Sequence, residues 1–223
     1  MWAVIPIKNL NETKHRLKSA LNPQERRDFF VEMFEDVLTT LLAVPELEQV
    51  AVATVCPIAG KIAKKYGTSV LFTEKDEGQT AAVTRTAEIL ESKRVAKMLM
   101  LPGDVPLVTV EEIQTVIATH ENACSTPDVP AMTIVPARDE QGSNCIVLSP
   151  PTAAPLRFGP NSYFPHLETA RKLGVSLQTL KLPGIGLDID TPEDLLELGR
   201  QSVQTRAQNY LQKYKILERI KIV

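Results

Sequence analysis

Short apolar runs alternate with segments of helical periodicity along most of this chain, and this alternation constrains the fold more than any other feature. The runs that predict strands cover residues 2–7, 49–54, 69–72, 96–101, 131–135, 146–148 and 176–180. Strands that alternate with helices form α/β domains around a mostly parallel sheet. We therefore expect one α/β domain of Rossmann-like type, with helices flanking a mostly parallel central sheet. Ligands of such sheets bind outside the carboxyl ends of the strands.

The segments between the strands carry helix signals. Asn22 followed by Pro23 and Glu25 is typical of a helix start, and the helix that begins there should end before Pro45. A second capping box at Thr191 predicts another helix. Further helices are expected over 58–66, 80–92, 109–120 and 161–173. We assign 1–200 to the main domain and 201–223 to a helical C-terminal extension of it, which serves either packing or homodimer formation.

The charge balance excludes several classes of protein. Lys and Arg number 25 against 27 Asp and Glu, which gives a net charge of −2. Dedicated nucleic-acid binders usually carry a strong basic excess. No apolar run approaches the roughly 18 residues of a membrane helix, and the first residues do not resemble a signal peptide. We expect no nucleic-acid or membrane partner.

Three cysteines, Cys56, Cys124 and Cys145, lie far apart and form no metal-binding pair. An odd and sparse count predicts free thiols that serve packing in a reducing compartment, so we expect a cytoplasmic protein. His120 and His166 fall on predicted helices, and we expect both to be exposed on the surface.

Asp104 gives the strongest chemical signal. It follows an apolar strand and stands between Pro102 and Pro106, which predicts a carboxylate at the carboxyl edge of the sheet. A hard cation such as Mg²⁺ takes one or two carboxylates and otherwise water and phosphate oxygens. The alternative is that Asp104 only forms a turn.

A second acidic signal is the pair Asp188 and Asp190. In an extended segment these side chains share one face, and Leu187 and Ile189 would anchor the other. Two carboxylates on one face repel unless a cation lies between them. Alternatively, Asp190 serves only the helix that starts at Thr191.

The loop after the first strand is basic, with Lys8, Lys14, His15, Arg16 and Lys18. Nucleotide-binding α/β domains place their phosphate loop at this point. No glycine-rich pattern is present, so charged side chains would have to take over the role of backbone amides. The alternative is an ordinary solvated run of charge.

Three further segments offer hydrogen-bond donors. Gly159 and Ser162 precede a predicted helix, whose free N–H groups could bind an anion. Ser143 and Asn144 begin a strand, although a hairpin turn would explain them equally well. Gln79 and Thr80 open a helix and either contact a base or ribose or simply start that helix.

No nucleophilic triad is recognisable. Carboxylates, cations and an anion-binding helix end together favour metal-assisted nucleotidyl or phosphoryl transfer.

These motifs, in this order, resemble the phospholactate guanylyltransferases of deazaflavin coenzyme F(420) biosynthesis, within the wider GT-A-like nucleotidyltransferases. The resemblance covers about residues 2 to 200. It rests on Val4-Ile5-Pro6-Ile7-Lys8, Lys14-His15-Arg16-Leu17, Glu25-Arg26, Asp36-Val37-Leu38, Pro102-Gly103-Asp104-Val105-Pro106-Leu107, Gly142-Ser143-Asn144, Arg157-Phe158-Gly159-Pro160-Asn161-Ser162 and Gly186-Leu187-Asp188-Ile189-Asp190-Thr191-Pro192-Glu193-Asp194-Leu195.

The resemblance implies a metal-dependent transferase that joins GMP from GTP to a small phosphorylated acid and releases pyrophosphate. The acid would be 2-phospho-L-lactate, phosphoenolpyruvate or 3-phospho-D-glycerate. The implied Mg²⁺ ligands are Asp104, Asp188 and Asp190. The implied contacts to the acid come from Ser143 or Asn144, with Gly159 and Ser162. The implied nucleotide contacts are Lys8, Lys14, Arg16, Gln79 and Thr80, and the catalytic groups are Asp104, Lys14 and Arg16.

Two other functions remain open at this stage. One is a different GT-A-like transferase, such as a molybdopterin guanylyltransferase or a sugar-nucleotide enzyme, which usually has a glycine-rich first loop. The other is a nucleotide-binding protein without turnover, which would have no need of three metal carboxylates.

Overall fold

A twisted sheet runs through the middle of the protein in the computed structural model, which describes residues 1–10, 13–72, 78–125, 129–159 and 161–220. Within this described part the sheet has seven strands, in the order β3-β2-β1-β4-β6-β5-β7. The strands are β1 Trp2–Ile7, β2 Gln49–Thr54, β3 Ser69–Phe72, β4 Met98–Met100, β5 Ala131–Pro136, β6 Ser143–Ser149 and β7 Ser176–Thr179.

Most neighbouring strands are parallel. β6 alone runs against both of its neighbours, β4 and β5, and the pairs β1–β2, β1–β4, β2–β3 and β5–β7 are parallel. The predicted α/β class with a mostly parallel sheet is therefore confirmed. Because β6 is reversed, its first residues lie at the same edge of the sheet as the carboxyl ends of β1, β4 and β5.

Helices cover both faces of the sheet. They are α1 Pro23–Leu42, α2 Pro57–Lys65, α3 Gln79–Ser92, α4 Val110–Ala123, α5 Tyr163–Lys172, α6 Pro183–Gly186, α7 Pro192–Arg200 and α8 Arg206–Lys213. Short 3₁₀ turns span His15–Ser19 and Leu217–Arg219. Successive residues of β1 enter opposite apolar layers: Ala3, Ile5 and Ile7 belong to one and Val4 to the other. Burial on both faces explains why this strand is apolar throughout.

The C-terminal extension packs against α1. The Asp36 carboxylate accepts hydrogen bonds from the backbone N–H groups of Arg206 and Ala207, at 2.9 and 3.0 Å. Tyr210 of α8 packs against Phe29 of α1, with ring centroids 5.9 Å apart. A carboxylate at a helix N-terminus satisfies free N–H groups and complements the helix dipole. Of the two roles considered for this segment, the structure displays packing.

The expectation that His120 and His166 lie on the surface is wrong, because both side chains are buried. Each ring nitrogen of His120 has a hydroxyl partner, Thr133 Oγ1 at 3.0 Å and Ser149 Oγ at 2.8 Å. A polar ring can be buried when both of its nitrogens are hydrogen-bonded.

All three cysteine thiols are free, and Cys56 and Cys145 are buried. No helix in the described ranges is both long and apolar enough to cross a lipid bilayer.

Candidate active site

A cavity of about 810 Å³ opens at the carboxyl edge of the sheet. Its walls come from the loops after β1 and β4, the β5–β6 turn, the start of α3, and the segments that precede α5 and α7. Every predicted site residue except Thr80 lines it: Lys8, Lys14, Arg16, Gln79, Asp104, Ser143, Asn144, Gly159, Ser162, Asp188 and Asp190. The fold thus brings residues from six separate stretches of sequence to one place.

Asp104 is held at the cavity by its backbone surroundings. Its carbonyl accepts a hydrogen bond from the Ile189 N–H at 3.0 Å, which ties the loop after β4 to the segment before α7. A Cβ atom at the adjacent Gly103 would lie 2.6 Å from Ile7 Cδ1. Glycine therefore lets this loop pass close to β1, and it leaves the Asp104 side chain at the cavity wall.

Lys14 lies between two of the three carboxylates. Its Nζ is 2.6 Å from Asp104 Oδ2 and 2.6 Å from Asp190 Oδ1, and its side chain is only 4% exposed. The Lys14 backbone adopts a left-handed conformation with φ of 55°, which is costly for a residue other than glycine. Burial alone would lower the pKa of Lys14, but the two carboxylates outweigh burial and raise it, so the ammonium stays charged.

The carboxylate pair before α7 is anchored as the sequence predicts, with Leu187 and Ile189 buried on the opposite face. Asp188 and Asp190 nevertheless differ in their electrostatics. Burial and the nearby Asp104 charge raise the pKa of Asp188 to about 6. Burial would also raise the pKa of Asp190, but the charge of Lys14 outweighs burial and lowers it.

Asn144 fixes the position of Asp188. Its side-chain amide donates to the Ile185 carbonyl at 2.9 Å and to Asp188 Oδ1 at 3.0 Å. Glu112 of α4 holds the same segment by accepting the N–H groups of Gly184 and Ile185. Glu112 lies outside the cavity, and the sequence reading assigned it no role.

The donor set is suited to a hard cation, because carboxylate oxygens are the ligands that Mg²⁺ prefers. Among the described residues, however, no three His, Cys, Asp or Glu side chains are grouped closely enough to hold one ion. Lys14 takes up one oxygen each of Asp104 and Asp190. Asp188 is close enough to Asp104 for their charges to interact. Two carboxylates together with substrate phosphates are a common Mg²⁺ environment, so the residues fit the ion.

A small polar cluster at the cavity joins β6 to the start of α5. His166 lies 3.0 Å from Ser143 Oγ through Nδ1, and its Nε2 accepts the Arg157 N–H at 2.9 Å. Ser162 Oγ lies 3.5 Å from Ser143 Oγ. Thr80, which does not line the cavity, accepts the Phe158 N–H through Oγ1 at 2.9 Å. The start of α3 is thereby joined to the loop that contains Gly159.

Two groups, one behind the cavity wall and one on it, were missed by sequence reasoning. His166 was taken for a surface residue, although it stands four positions after Ser162 and therefore on the same face of α5. Arg138 lies in the β5–β6 turn at the cavity wall and pairs with Asp194 at 3.2 Å. The sequence signal for Arg138 was its position, as a basic residue in the turn before Gly142.

Comparisons with a family model and with known relatives lead to the same family. Residues 1–221 match the family model described as "Guanylyl transferase CofC like". Phosphoenolpyruvate guanylyltransferase of Chloroflexus aurantiacus is 33% identical over 199 residues, which cover 88% of this chain and 93% of that protein. The 3-phospho-D-glycerate guanylyltransferase of Colwellia psychrerythraea is 30% identical over 192 residues, which cover 86% and 88%.

A third relative, 2-phospho-L-lactate guanylyltransferase of Methanothermobacter thermautotrophicus, is 28% identical over 213 residues, which cover 96% of this chain and 90% of that protein. Among solved structures, a candidate nucleotide-diphospho-sugar transferase from Desulfovibrio desulfuricans superposes with a TM-score of 0.78 at 15% identity, covering 98% of this chain and 96% of that one. At this identity the structural likeness is evidence for a shared fold alone. Since residues 1–221 of its 223 match the family model, this chain belongs to the CofC-like guanylyl transferase family.

Proposed function

We propose that this protein transfers a guanylyl group from GTP to a small phosphorylated carboxylic acid and releases pyrophosphate, as a step in deazaflavin coenzyme biosynthesis. The observation that carries the proposal is that two groups of residues line one cavity. The first group is Lys14 with Asp104, Asp188 and Asp190, and the second, the acceptor wall, comprises the hydroxyl and backbone donors near Ser143 and Gly159. Such a cavity suits two anionic substrates that must meet.

In the proposed reaction, a phosphate oxygen of the acid forms a bond to the α-phosphorus of GTP. The bond from that phosphorus to the oxygen of the β-phosphate breaks, and pyrophosphate leaves with the electron pair. Both reactants are anions, so the main task of the protein is to orient them and to offset their charge.

The nucleotide phosphates are assigned to Lys8, Lys14 and Arg16. Arg16 is 72% exposed and lies 4.0 Å from Asp190, so its guanidinium can reorient toward a bound triphosphate. Lys14 is held in place by two carboxylates and supplies a fixed positive charge. Gln79 and Thr80 are assigned to the nucleoside because they stand at the start of α3, beside the Gly159 loop.

The phosphorylated acid is assigned to Ser143, Gly159 and Ser162. Of the two neighbours Ser143 and Asn144, the serine is favoured, because both amide hydrogens of Asn144 are already donated to Ile185 and Asp188. Among the described residues the Gly159 N–H has no hydrogen-bond acceptor. A hydroxyl and a backbone N–H on one wall suit a carboxylate or phosphate group.

Mg²⁺ is assigned to Asp104, Asp188 and Asp190, of which Asp104 and Asp190 each keep one oxygen that Lys14 does not contact. The ion would supply positive charge against the developing charge of the leaving pyrophosphate. Asn144 then serves as the group that orients Asp188, as outer partners of metal ligands commonly do.

We also place the protein in the cytoplasm, which its three free thiols support. A homodimer stays a prediction, which sedimentation analysis would test.

The decisive experiment is pyrophosphate release with Mg²⁺, each of the four ribonucleoside triphosphates, and a panel of phosphoenolpyruvate, 3-phospho-D-glycerate and 2-phospho-L-lactate. We expect GTP to be preferred and one of the three acids to support turnover. Preference for CTP or ATP, or turnover with none of the acids, would contradict the proposal.

A matched pair of glycine variants tests the acceptor wall. Gly159 and Gly174 both have positive φ, of 137° and 68°, and neither would place a Cβ within 4 Å of another residue. Only Gly159 lines the cavity. Gly159→Val should raise the KM for the acid more than the KM for GTP, whereas Gly174→Val should change neither. Equal effects of the two substitutions would contradict the assignment.

A further inference from the structure

We infer that His166 is a positioning residue that holds the Ser143 hydroxyl as a hydrogen-bond donor toward the acid substrate. The inference rests on the proposed function, because it extends the assignment of Ser143 to the acceptor. His166 is 2% exposed and lies behind the cavity wall, so it acts through Ser143 and through the Arg157 backbone and does not touch the substrate.

The backbone decides which nitrogen of His166 carries the proton. The Arg157 N–H lies 2.9 Å from Nε2 and can only donate, so Nε2 must offer its lone pair. A neutral imidazole with a free lone pair on Nε2 has its hydrogen on Nδ1. The contact of 3.0 Å from Nδ1 to Ser143 Oγ is therefore a hydrogen bond donated by the histidine.

Burial keeps the ring in this single form. Desolvation lowers the pKa of His166 to about 4, so the imidazole is neutral at neutral pH. Phe158 packs against it edge-on, with ring centroids 5.7 Å apart, which restricts rotation of the imidazole.

The hydrogen bonds of Ser143 can then be counted. A hydroxyl accepts two hydrogen bonds and donates one. Ser143 Oγ accepts from His166 Nδ1, and Ser162 Oγ approaches as a second donor at 3.5 Å. Both neighbours supply hydrogens, so the hydrogen of Ser143 itself is left for an acceptor in the cavity that Ser143 lines. A carboxylate or phosphate oxygen is such an acceptor.

The hydrogen bond from the Arg157 N–H to His166 Nε2 orients the loop that carries a second donor, the Gly159 N–H. The N–H of Arg157 is taken by His166 and that of Phe158 by Thr80 Oγ1, at 2.9 Å each. The next N–H belongs to Gly159, which lines the cavity. One buried imidazole thus fixes the orientation of the hydroxyl on β6 and the course of the loop before α5.

Two substitutions of His166 test its two hydrogen bonds one at a time. The side-chain amide of His166→Asn can take the place of Nδ1 and still donate to Ser143. The longer side chain of His166→Gln can take the place of Nε2 and still accept from Arg157, but it leaves Ser143 without its donor. We expect His166→Gln to raise the KM for the acid about five- to tenfold with an unchanged KM for GTP, and His166→Asn to raise it less than threefold.

His120→Gln is the matched control, since His120 is equally buried and also bonded to hydroxyls, but away from the cavity. It should change the melting temperature without changing either KM. The acid used is whichever of phosphoenolpyruvate and 3-phospho-D-glycerate supports wild-type turnover. If neither acid supports turnover in the wild type, 2-phospho-L-lactate is used instead, and only turnover with none of the three acids means that the proposed function fails. Equal KM values in the wild type and both His166 variants would overturn the inference alone.

A double-mutant cycle gives a second readout. In a Ser143→Ala background, His166→Gln should raise the acceptor KM by less than twofold further, because the hydroxyl it orients is gone. Fully independent effects of the two substitutions would overturn the inference.

A measurement on the unsubstituted protein covers the case in which the variants do not fold. Nitrogen-15 NMR of the imidazole distinguishes the two tautomers. We expect a protonated Nδ1 and a bare Nε2 for His166 at neutral pH. A protonated Nε2, or a charged ring, would overturn the inference.

Discussion

The Lys14 ammonium lies 2.6 Å from a carboxylate oxygen of Asp104, so an ion pair joins the loop after β1 to the loop after β4 inside the cavity. The same ammonium contacts Asp190 at 2.6 Å. A side chain from near the N-terminus thereby holds together carboxylates from two later segments. Without substrate, it offsets the repulsion that three neighbouring aspartates would otherwise suffer.

Lys14→Met should impair both folding and turnover. Removing one partner of a buried pair leaves its charge uncompensated, and because Asp104 and Asp190 face the open cavity we expect a loss of about 1–3 kcal/mol in the free energy of unfolding. The kcat/KM for GTP should fall on the order of 10²-fold. Lys18→Met, in the 3₁₀ turn that follows Lys14 but exposed, should change stability by less than about 0.5 kcal/mol. Unaltered GTP kinetics in Lys14→Met would remove its nucleotide role.

Asp36→Asn should destabilise the protein without changing its kinetics. The Asp36 carboxylate accepts the N–H groups of both Arg206 and Ala207, whereas an asparagine keeps one acceptor and turns an NH₂ group toward the other N–H. Burial raises the pKa of Asp36, so asparagine also relieves a buried charge. The acceptor lost at a helix N-terminus outweighs that relief, and we expect the free energy of unfolding in urea to fall by about 1–2 kcal/mol.

Asp28→Asn is the control for Asp36→Asn, because Asp28 is a partly exposed carboxylate on the same helix. It should have little effect on stability. A changed KM for either substrate in Asp36→Asn would show that the C-terminal extension influences the cavity.

The sequence predicted local structure best where a single pattern, an apolar run or a capping box, marked the element. The bounds of β1, β2 and β3 were predicted correctly, as was the capping box in which Asn22 and Glu25 exchange hydrogen bonds. β6 begins earlier than its apolar run, at Ser143, because polar residues can be buried in a strand when other elements supply hydrogen-bond partners. Hydrophobic patterning does not detect such positions.

The sequence predicted that residues at the ends of several elements meet at one edge of the sheet, and these residues do line one cavity. Their roles stay predictions, and the groups behind them were not predicted. Asp104 and Gly159 follow recognisable boundaries, so topology alone brings them to one edge of the sheet. The role of Asn144 depends on its contacts to Ile185 and Asp188, some forty residues away. The burial of His166 likewise depends on Arg157 and Ser143, and no local pattern encodes tertiary partners of this kind.

The buried His120 should make the protein sensitive to acid. Burial lowers the pKa of His120 to about 4, against about 6.5 in an unfolded chain. Between these values the unfolded state binds more protons, so stability falls as the pH falls from about 6.5 to 4. In urea titrations at pH 7 and pH 5, His120→Gln should lose less stability than the wild type, by about 1–2 kcal/mol.

His15→Gln is the control for this comparison, because it makes the same substitution at an exposed position. Its stability at pH 7 should stay within about 0.5 kcal/mol of the wild-type value. An equal loss of stability in His120→Gln and the wild type would mean that His120 does not contribute to the acid response.

Asp188→Asn should stabilise the ligand-free protein while it abolishes most turnover. Burial and the Asp104 charge raise the pKa of Asp188 to about 6, above its value of about 3.9 in an unfolded chain. The folded state therefore binds more protons between pH 4 and 6, and the ionised group opposes folding most above pH 6. Asparagine removes that charge and keeps the oxygen that accepts from Asn144.

The expected gain in the free energy of unfolding is about 1–2 kcal/mol at pH 7.5, and it should vanish near pH 4. Asp190→Asn is the matched control, since it removes a carboxylate that Lys14 stabilises, and it should lower stability slightly. Turnover of Asp188→Asn across a Mg²⁺ titration should fall on the order of 10²–10³-fold. A variant that is less stable than the wild type at pH 7.5, or fully active, would show that Asp188 is a structural carboxylate and not part of a charged site awaiting its cation.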